Sequence, residues 1–338
     1  MSLYCGIDLH ANNSYVVVSG PEDEVVLGRR LPNDLGVVFR ALEPYREALV
    51  GVAVESTFNW YWLVDGLRQA GHTVHLVNPL AAQQYQGLKY ADDRTDARWL
   101  AKLLRLGILP TGWICPAEQR GIRDLLRKRT QLVRQRVACR LSLRNILERT
   151  TARRLSGPAL ERLSLEDLSD WIEDEHVRLS MTTTLAVIET LDEQIELIEG
   201  VVFEQARQEA AFSVLTTIPG VGPILASTSQ YETGDLDRFA GVGHYTSYCR
   251  LVRSQHLSNE RRKGQGLRKN GNAYLSWAYH EAAHFAVRYQ PSARRWYERK
   301  RSRTCALVAI RALAHKLARA AYFMMRDQVP YEPARLFA

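Results

Sequence analysis

Between residues 118 and 215 glycine and proline almost vanish, with only Gly121, the pair Gly157-Pro158 and Gly200 interrupting the stretch. A segment without breakers, and with apolar residues three or four positions apart, has little choice but long helices. Leu125, Leu126, Leu132, Val133, Val137, Leu141 and Leu143 form one apolar stripe; Leu185, Val187, Ile188, Leu191, Ile195 and Ile198 form a second. The spacing predicts two long helices, broken by Gly157-Pro158 and a polar stretch, that fold back as a protruding antiparallel pair. This coiled-coil-like middle (116–211) separates two regions of different texture, 1–115 and 212–338. Helices of this kind serve more often as scaffolds or oligomerisation arms than as catalytic parts.

The first region reads as α/β. Short apolar runs at 4–9, 14–19 and 25–31 predict three strands in a meander, and 33–45 has helical spacing. A buried strand at 48–54 delivers Glu55 at its end, followed by a helix over 60–70, a strand over 73–77 and a helix beginning at Asp93 or a neighbour. Strands alternating with helices after a hairpin imply a mixed sheet with helices packed on it. The last region is mainly helical: a Gly/Pro turn at 218–223 opens a helix, a basic loop covers 250–272, and helical stretches follow at 273–289 and 306–325.

With 338 residues, the chain is long enough for two or three cores. No apolar run approaches the roughly 20 residues of a membrane helix. The start, MSLYCGIDLH, lacks the basic and apolar regions of a secretory signal, so a cytoplasmic protein is expected. Five single cysteines without CxxC spacing argue against a disulfide framework and a zinc site. The net charge of +8 and pI near 9.3 favour a polyanionic partner, and the distribution says more. Residues 120–154 hold twelve Lys/Arg against two acids, whereas 161–209 hold fourteen acids against three arginines. Such asymmetry fits one face that tracks phosphates and one that does not, or two helices whose charges offset each other.

Four carboxylates carry the chemistry. Asp8 ends the first strand, Glu55 ends a later one, and Asp93 and Asp96 stand three residues apart where a helix begins, on one helical face. Acids at the same ends of neighbouring strands can converge on a helix terminus. Four hard oxygen donors there suit Mg²⁺, in a site for two ions (Mn²⁺ being the alternative), of the kind that activates the attacking and leaving oxygens of a phosphodiester. Each acid taken singly also fits a helix cap or a turn. Asp92 competes with Asp93 for one position, but it breaks the three-residue relation with Asp96.

These residues resemble a known family. Gly6-Ile7-Asp8-Leu9-His10, Val54-Glu55-Ser56-Thr57 and Asp93-Arg94-Thr95-Asp96-Ala97 are similar to the three acidic motifs of the DEDD insertion-sequence transposases, bacterial recombinases related to the Piv DNA invertase. The resemblance implies a ribonuclease-H-like (RuvC-like) N-terminal domain with Asp8, Glu55, Asp93 and Asp96 as metal ligands.

Further on, Ile218-Pro219-Gly220-Val221-Gly222-Pro223 resembles the turn of a helix-hairpin-helix, in which Gly220 and Gly222 let backbone N–H groups approach a phosphate. A tight interhelical turn would have the same composition. The segment 250–272 holds seven Lys/Arg against one acid, and Arg253, Arg261, Arg262, Lys263, Arg268 and Lys269 are its candidate phosphate contacts. Leu257-Ser258-Asn259, Lys263-Gly264, Lys269-Asn270-Gly271-Asn272 and Tyr274-Leu275 resemble the C-terminal domain of the same family, which carries a serine nucleophile. Residue by residue, Ser258 takes that place, with Ser254 the alternative.

The resemblance implies a transposase that cleaves and rejoins double-stranded donor and target DNA through a covalent phosphoserine intermediate. It also implies guidance by a structured RNA encoded by the element, dimers assembling into tetramers, and association with the nucleoid during activity. Two other readings fit the residues: a junction nuclease that hydrolyses DNA with the four carboxylates alone, and a non-catalytic nucleic-acid scaffold. Conversion of Asp8 or Glu55 to its amide separates the last from the other two.

Overall fold

The computed structural model describes residues 2–82, 92–252, 256–258, 261–264 and 270–337; for 256–258 and 261–264 only the backbone is described. Its contacts divide it into two compact units, Met1–Ile114 and Cys115–Ala338.

In the first unit, β1 (Leu3–Leu9), β2 (Asn13–Ser19) and β3 (Val25–Pro32) form the antiparallel meander. Helix α1 (Leu35–Leu42) follows, capped by Asp34, whose carboxylate accepts from the Val37 N–H at 2.8 Å. Strand β4 (Leu49–Glu55) then runs parallel to β1, with Ile7 opposite Val54. After α2 (Tyr61–Gln69), β5 (Val74–Val77) pairs parallel to β4, and α3 (Pro79–Ala82) and α4 (Asp93–Arg105) complete the unit. The sheet order is β3-β2-β1-β4-β5.

Side chains alternate across the sheet. Cys5, Ile7 and Leu9 of β1, with Val52 and Val54 of β4, share a core with Val38 and Leu42 of α1 and Leu63, Val64 and Leu67 of α2. The other face meets α4 at Gly6. A Cβ there would stand 2.0 Å from the Ala97 carbonyl oxygen and 2.7 Å from the Ala101 amide nitrogen, so the helix backbone lies directly on the strand. Ala97 and Ala101 are fully buried, and their small side chains permit the same approach. The far half of α4 is tied to the β2–β3 turn, where Arg105 donates two hydrogen bonds to the Asp23 carboxylate and Lys102 lies 3.1 Å from it.

The second unit begins with α5 (Ala117–Thr151). The connection that follows holds α6 (Gly157–Glu161) and α7 (Leu165–Trp171) before α8 (Glu175–Ala206) packs along α5. Pro158 therefore starts a short helix, where its missing N–H costs nothing, instead of only interrupting one. Leu143, Leu147, Leu160, Leu168, Ile172, Met181 and Leu185 form a separate small core around this connection. The charge asymmetry of the sequence is partly absorbed between the helices. Arg129 pairs with Glu199 at 2.7 Å, Arg136 with Asp192, and Arg140 with both Asp192 and Glu161.

The rest of the unit comprises α9 (Ala210–Leu215), α10 (Pro223–Thr233), α11 (Val242–Tyr248), a hairpin of β6 (His256–Ser258) and β7 (Arg261–Gly264), α12 (Ala273–Tyr289), α13 (Pro291–Arg303), α14 (Ala306–Asp327) and α15 (Pro333–Phe337). At its centre the alanine-rich face of α14 (Ala314, Ala318, Ala321) packs with Ala278, Ala282 and Ala286 of α12. Two differences from the sequence reading have physical causes. Helix α13, PSARRWYERKRSR, buries only Ala293 completely and therefore carries no apolar stripe to announce it. The basic loop contains antiparallel pairing, with Ser258 opposite Arg261, because strand pairing satisfies backbone groups without needing an apolar pattern. No helix among the described residues is long and apolar enough to cross a membrane.

Gly6→Ala forces the α4 backbone off the sheet. The expected cost is at least the ~1–3 kcal/mol typical of overpacking. Chemical unfolding of the full chain should show a transition at lower denaturant, with the first unit's signal moving most.

Candidate active site

Glu55 is the last residue of β4, and Asp8 stands next to the end of β1. Because these strands are parallel neighbours with Ile7 opposite Val54, the two carboxylates are adjacent in register. Asp8 lies on the face of β1 that carries Gly6, the face on which α4 rests, and it is only 3% exposed. Helix α4 begins at Asp93, so Asp93 and Asp96 occupy its first turn, where the helix dipole favours negative charge. The fold thus gathers Asp8, Glu55, Asp93 and Asp96. Asp92 is the N-cap, accepting from the Thr95 N–H at 2.7 Å, so its carboxylate serves the helix end.

The electrostatics are those of crowded acids. Burial, a hydrogen bond with Asp8 and the Asp8 charge together push the Glu55 carboxyl up to about 7. Asp96 is raised by burial and by the charges of Glu55, Asp92 and Asp93. Asp93 goes the other way: burial acts to raise it, but the Arg30 and His10 contacts outweigh this and hold it down. Arg30 reaches from β3 to place its guanidinium 2.6 Å from Asp93.

His10 was not assigned by sequence reasoning. Its Nε2 lies 3.0 Å from Asp8 and 3.2 Å from Asp93, bridging strand and helix acids. Its backbone carbonyl accepts from the amides of Asn33 at 2.9 Å and Asn59 at 3.0 Å, which fixes the turn after β1. The available signal was its position two residues after Asp8, which along an extended chain is the same side. Ligand atoms of Asp8, His10 and Asp93 all fall within 4.8 Å of one another. The raised carboxyls of Glu55 and Asp96 mark negative charge that the protein's own cations do not neutralise, and hard oxygen donors suit a divalent ion. The residues fit a metal.

In the second unit, Asn272 caps α12 by accepting from the Tyr274 and Leu275 N–H groups at 2.8 and 3.0 Å. Its amide nitrogen donates to Glu232 of α10 at 2.6 Å. Glu232, 1% exposed, also accepts two hydrogen bonds from Arg127 of α5 at 2.6 and 2.7 Å, and these hold the guanidinium charged. Gly271 has φ +92°, and a Cβ there would lie 2.4 Å from the Tyr248 carbonyl oxygen. Its own carbonyl accepts from Arg250 at 2.9 Å. The C-terminal end of the basic segment is therefore anchored through Asn272 to a charged network around buried Glu232, and Arg250 ties the other end to it through Gly271. Sequence reasoning did not find this network, since its members lie far apart in the chain.

Ser258 ends β6 and Arg261, Arg262 and Lys263 lie in β7; Arg253, Ser254, Arg268 and Lys269 fall outside the described residues. Gly220 has φ +86°, and a Cβ there would meet Phe285 of α12 at 2.4 Å, so it packs tightly within the unit. Gly222 is the N-cap of α10, with open space beside it.

Carboxylates at the ends of neighbouring parallel strands, facing the acidic first turn of a helix, suit divalent-metal phosphate chemistry, and comparison with known proteins gives the class, a DEDD transposase. Residues 5–152 match a DEDD transposase model and residues 212–298 match the model described as "Transposase IS116/IS110/IS902 family". A probable family 20 transposase of Pseudomonas aeruginosa is 27% identical over 97% of this chain and 98% of its own length. The transposase for insertion sequence element IS1328 of Yersinia enterocolitica is 25% identical over 94% of this chain and 95% of its own. The chain belongs to the IS110 family of insertion-sequence transposases, enzymes that cleave and rejoin DNA. Its DEDD character implies use of a divalent metal.

Two outcomes follow from these electrostatics. Glu55 ordinarily titrates at 4.5, so its raised carboxyl contributes stability that is complete below that value and lost as pH rises through about 7. The metal-free protein should melt at lower temperature at pH 8 than at pH 5. Glu55→Gln should flatten this dependence, and added Mg²⁺ should raise the melting temperature more at pH 8. Separately, Arg127→Met leaves Glu232 buried with its charge uncompensated, at an expected cost of about 3–5 kcal/mol. Equilibrium unfolding should show that loss, and adding Glu232→Gln should recover most of it.

Proposed function

We propose that this transposase cleaves and rejoins double-stranded donor and target DNA through a phosphoserine intermediate formed on Ser258. Asp8, Glu55, Asp93 and Asp96 hold Mg²⁺, in a two-ion site that also accepts Mn²⁺. When bound, the metal lowers the cost of negative charge on the attacked phosphate and its leaving oxygen. The observation that carries the reading is the adjacency of Asp8 and Glu55 at parallel strand ends, facing the acidic first turn of α4, in a chain of this family.

In the reaction, a bond forms between the Ser258 Oγ and the scissile phosphorus while the phosphorus–sugar oxygen bond breaks. The serine proton leaves to a base and the departing sugar oxygen gains one. Attack by a second strand's hydroxyl reverses these steps and joins the new strand. Serine needs activation, and a segment rich in Arg261, Arg262 and Lys263 supplies positive charge for the phosphate. Asn272, Glu232 and Arg127 position the segment by anchoring its C-terminal end.

Residues 1–115 form a ribonuclease-H-like domain, a reading supported by the sheet order β3-β2-β1-β4-β5, in which β2 alone runs antiparallel to the other four strands. The long helices of 116–211 act as an oligomerisation arm through which dimers build tetramers. Val137, Leu141, Val187, Leu197 and Val201 remain between 45 and 62% exposed on them, which supports this role. The domain 212–338 carries the serine, and Gly220 and Gly222 form a helix-hairpin-helix-like turn within it. An RNA encoded by the element directs the choice of DNA.

The test is recombination between defined donor and target DNA, with the protein–DNA adduct resolved on denaturing gels and co-purifying RNA sequenced. Wild-type protein should give a covalent adduct, and Ser258→Ala should abolish both adduct and strand exchange. Strand exchange surviving in Ser258→Ala removes the serine mechanism, and cleavage without any adduct assigns the carboxylates to simple hydrolysis. Asp8→Asn should reduce strand transfer at least 100-fold whichever holds, an order expected when a group that stabilises the transition state is lost.

A further inference from the structure

Helices α13 and α14 border an open groove of about 690 Å³, within the range of sites that hold small molecules. Its apolar lining comprises Trp296, Val308, Ala312, Leu251 and Val252, with Leu307 exposed beside them. Cations rim it, Lys300, Arg311 and Lys316, and no carboxylate is among its described lining residues. The Lys316 ammonium lies 5.5 Å from the Trp296 ring centroid, and Leu307 is 79% exposed. His315, in the same lining, is held below its ordinary value by burial and by the charges of Arg319 and Lys316, so the local field is positive.

An aromatic ring and aliphatic side chains lined together with cations are what an unpaired nucleotide uses: a flat base on the ring, a phosphate on the cations. A duplex presents phosphates to a protein surface and would leave Trp296 and Leu307 unused. The groove's lining adjoins the basic segment along the chain. Arg311 donates to the Arg250 carbonyl at 3.1 Å, and Val252 immediately precedes residues 253–269.

We propose that this groove is a single-stranded nucleic-acid subsite, with an unpaired base on Trp296 and its phosphate held by Lys300 and Lys316. The subsite does not depend on Ser258 being the nucleophile.

Fluorescence anisotropy of the full chain with labelled oligo-dT and oligo-U of about fifteen nucleotides tests it, with a duplex of the same length as comparison. Trp296→Ala should weaken binding of at least one single strand about 5- to 100-fold, the range for losing one stacked base, while Trp296→Phe retains most affinity. Duplex binding should change less than about twofold, and Lys300→Ala should lower the single-strand salt slope by about 0.7. Because Trp296 also packs against the core, Lys300→Glu and Leu307→Glu provide independent variants on the open side, each checked by thermal melting. They should lose single-strand affinity at least about tenfold through repulsion. Tighter binding of oligo-dT or of oligo-U supports the subsite and assigns its strand to DNA or to RNA. Unchanged single-strand affinity in both glutamate variants overturns it. So does an equal loss for duplex, or an oligoglutamate peptide that competes as well as oligo-dT.

Discussion

The contact on which the first unit depends is the approach of α4 to β1 at Gly6. With only a hydrogen where a Cβ would stand, the Ala97 carbonyl and Ala101 amide of the helix lie against the strand. Gly6 and Asp8 share a face of β1, so the depth at which α4 packs also sets where its acidic first turn meets Asp8. Packing and electrostatics act against each other here. Burial draws Asp8, Glu55 and Asp96 into a small volume, and the crowding appears as raised carboxyls on Glu55 and Asp96. His10 and Arg30 offset part of that charge from the β1 and β3 sides. A divalent cation would complete the compensation, and a site built this way suits metal-dependent phosphate chemistry.

The second unit uses charge in three ways. Along α5 and α8, arginines meet acids in pairs that hold two long helices in register and remove those arginines from any phosphate-binding role. At the root of the basic segment, Glu232 is buried with Arg127 and Asn272, where low dielectric makes each member depend on the others. On α13 and α14 the cations stay open beside Trp296. A formal charge of +8 describes none of this, because the sum does not distinguish a paired arginine from one facing solvent.

Much of the fold was legible in the chain. The apolar runs that become β1, β2, β3, β4 and β5 have strand length and are bounded by turn residues, and the breaker-free stretch that becomes α5 and α8 has helical spacing. Helix α13 was not legible, because its faces are nearly all polar and its stability comes from docking on α12 and α14. The hairpin of β6 and β7 was hidden for a similar reason: backbone pairing among arginines and lysines leaves no alternation to read.

The sequence by itself determined the order of the acids and their local settings, since Asp8 and Glu55 at strand ends and Asp93 with Asp96 on a helical turn follow from near-neighbour periodicity. It also determined the family, through motifs that survive as short strings. Only the tertiary structure decided that Asp92 caps α4 while Asp93 faces His10 and Arg30, because capping depends on one residue's backbone angles and a single N–H. Only it decided that Arg127, Glu232 and Asn272, separated by up to 145 positions, share one buried network. Local pattern reports which face a residue occupies. Which distant residue meets it there depends on how closely the backbones pack, and in the first unit that is set by the missing side chain of Gly6.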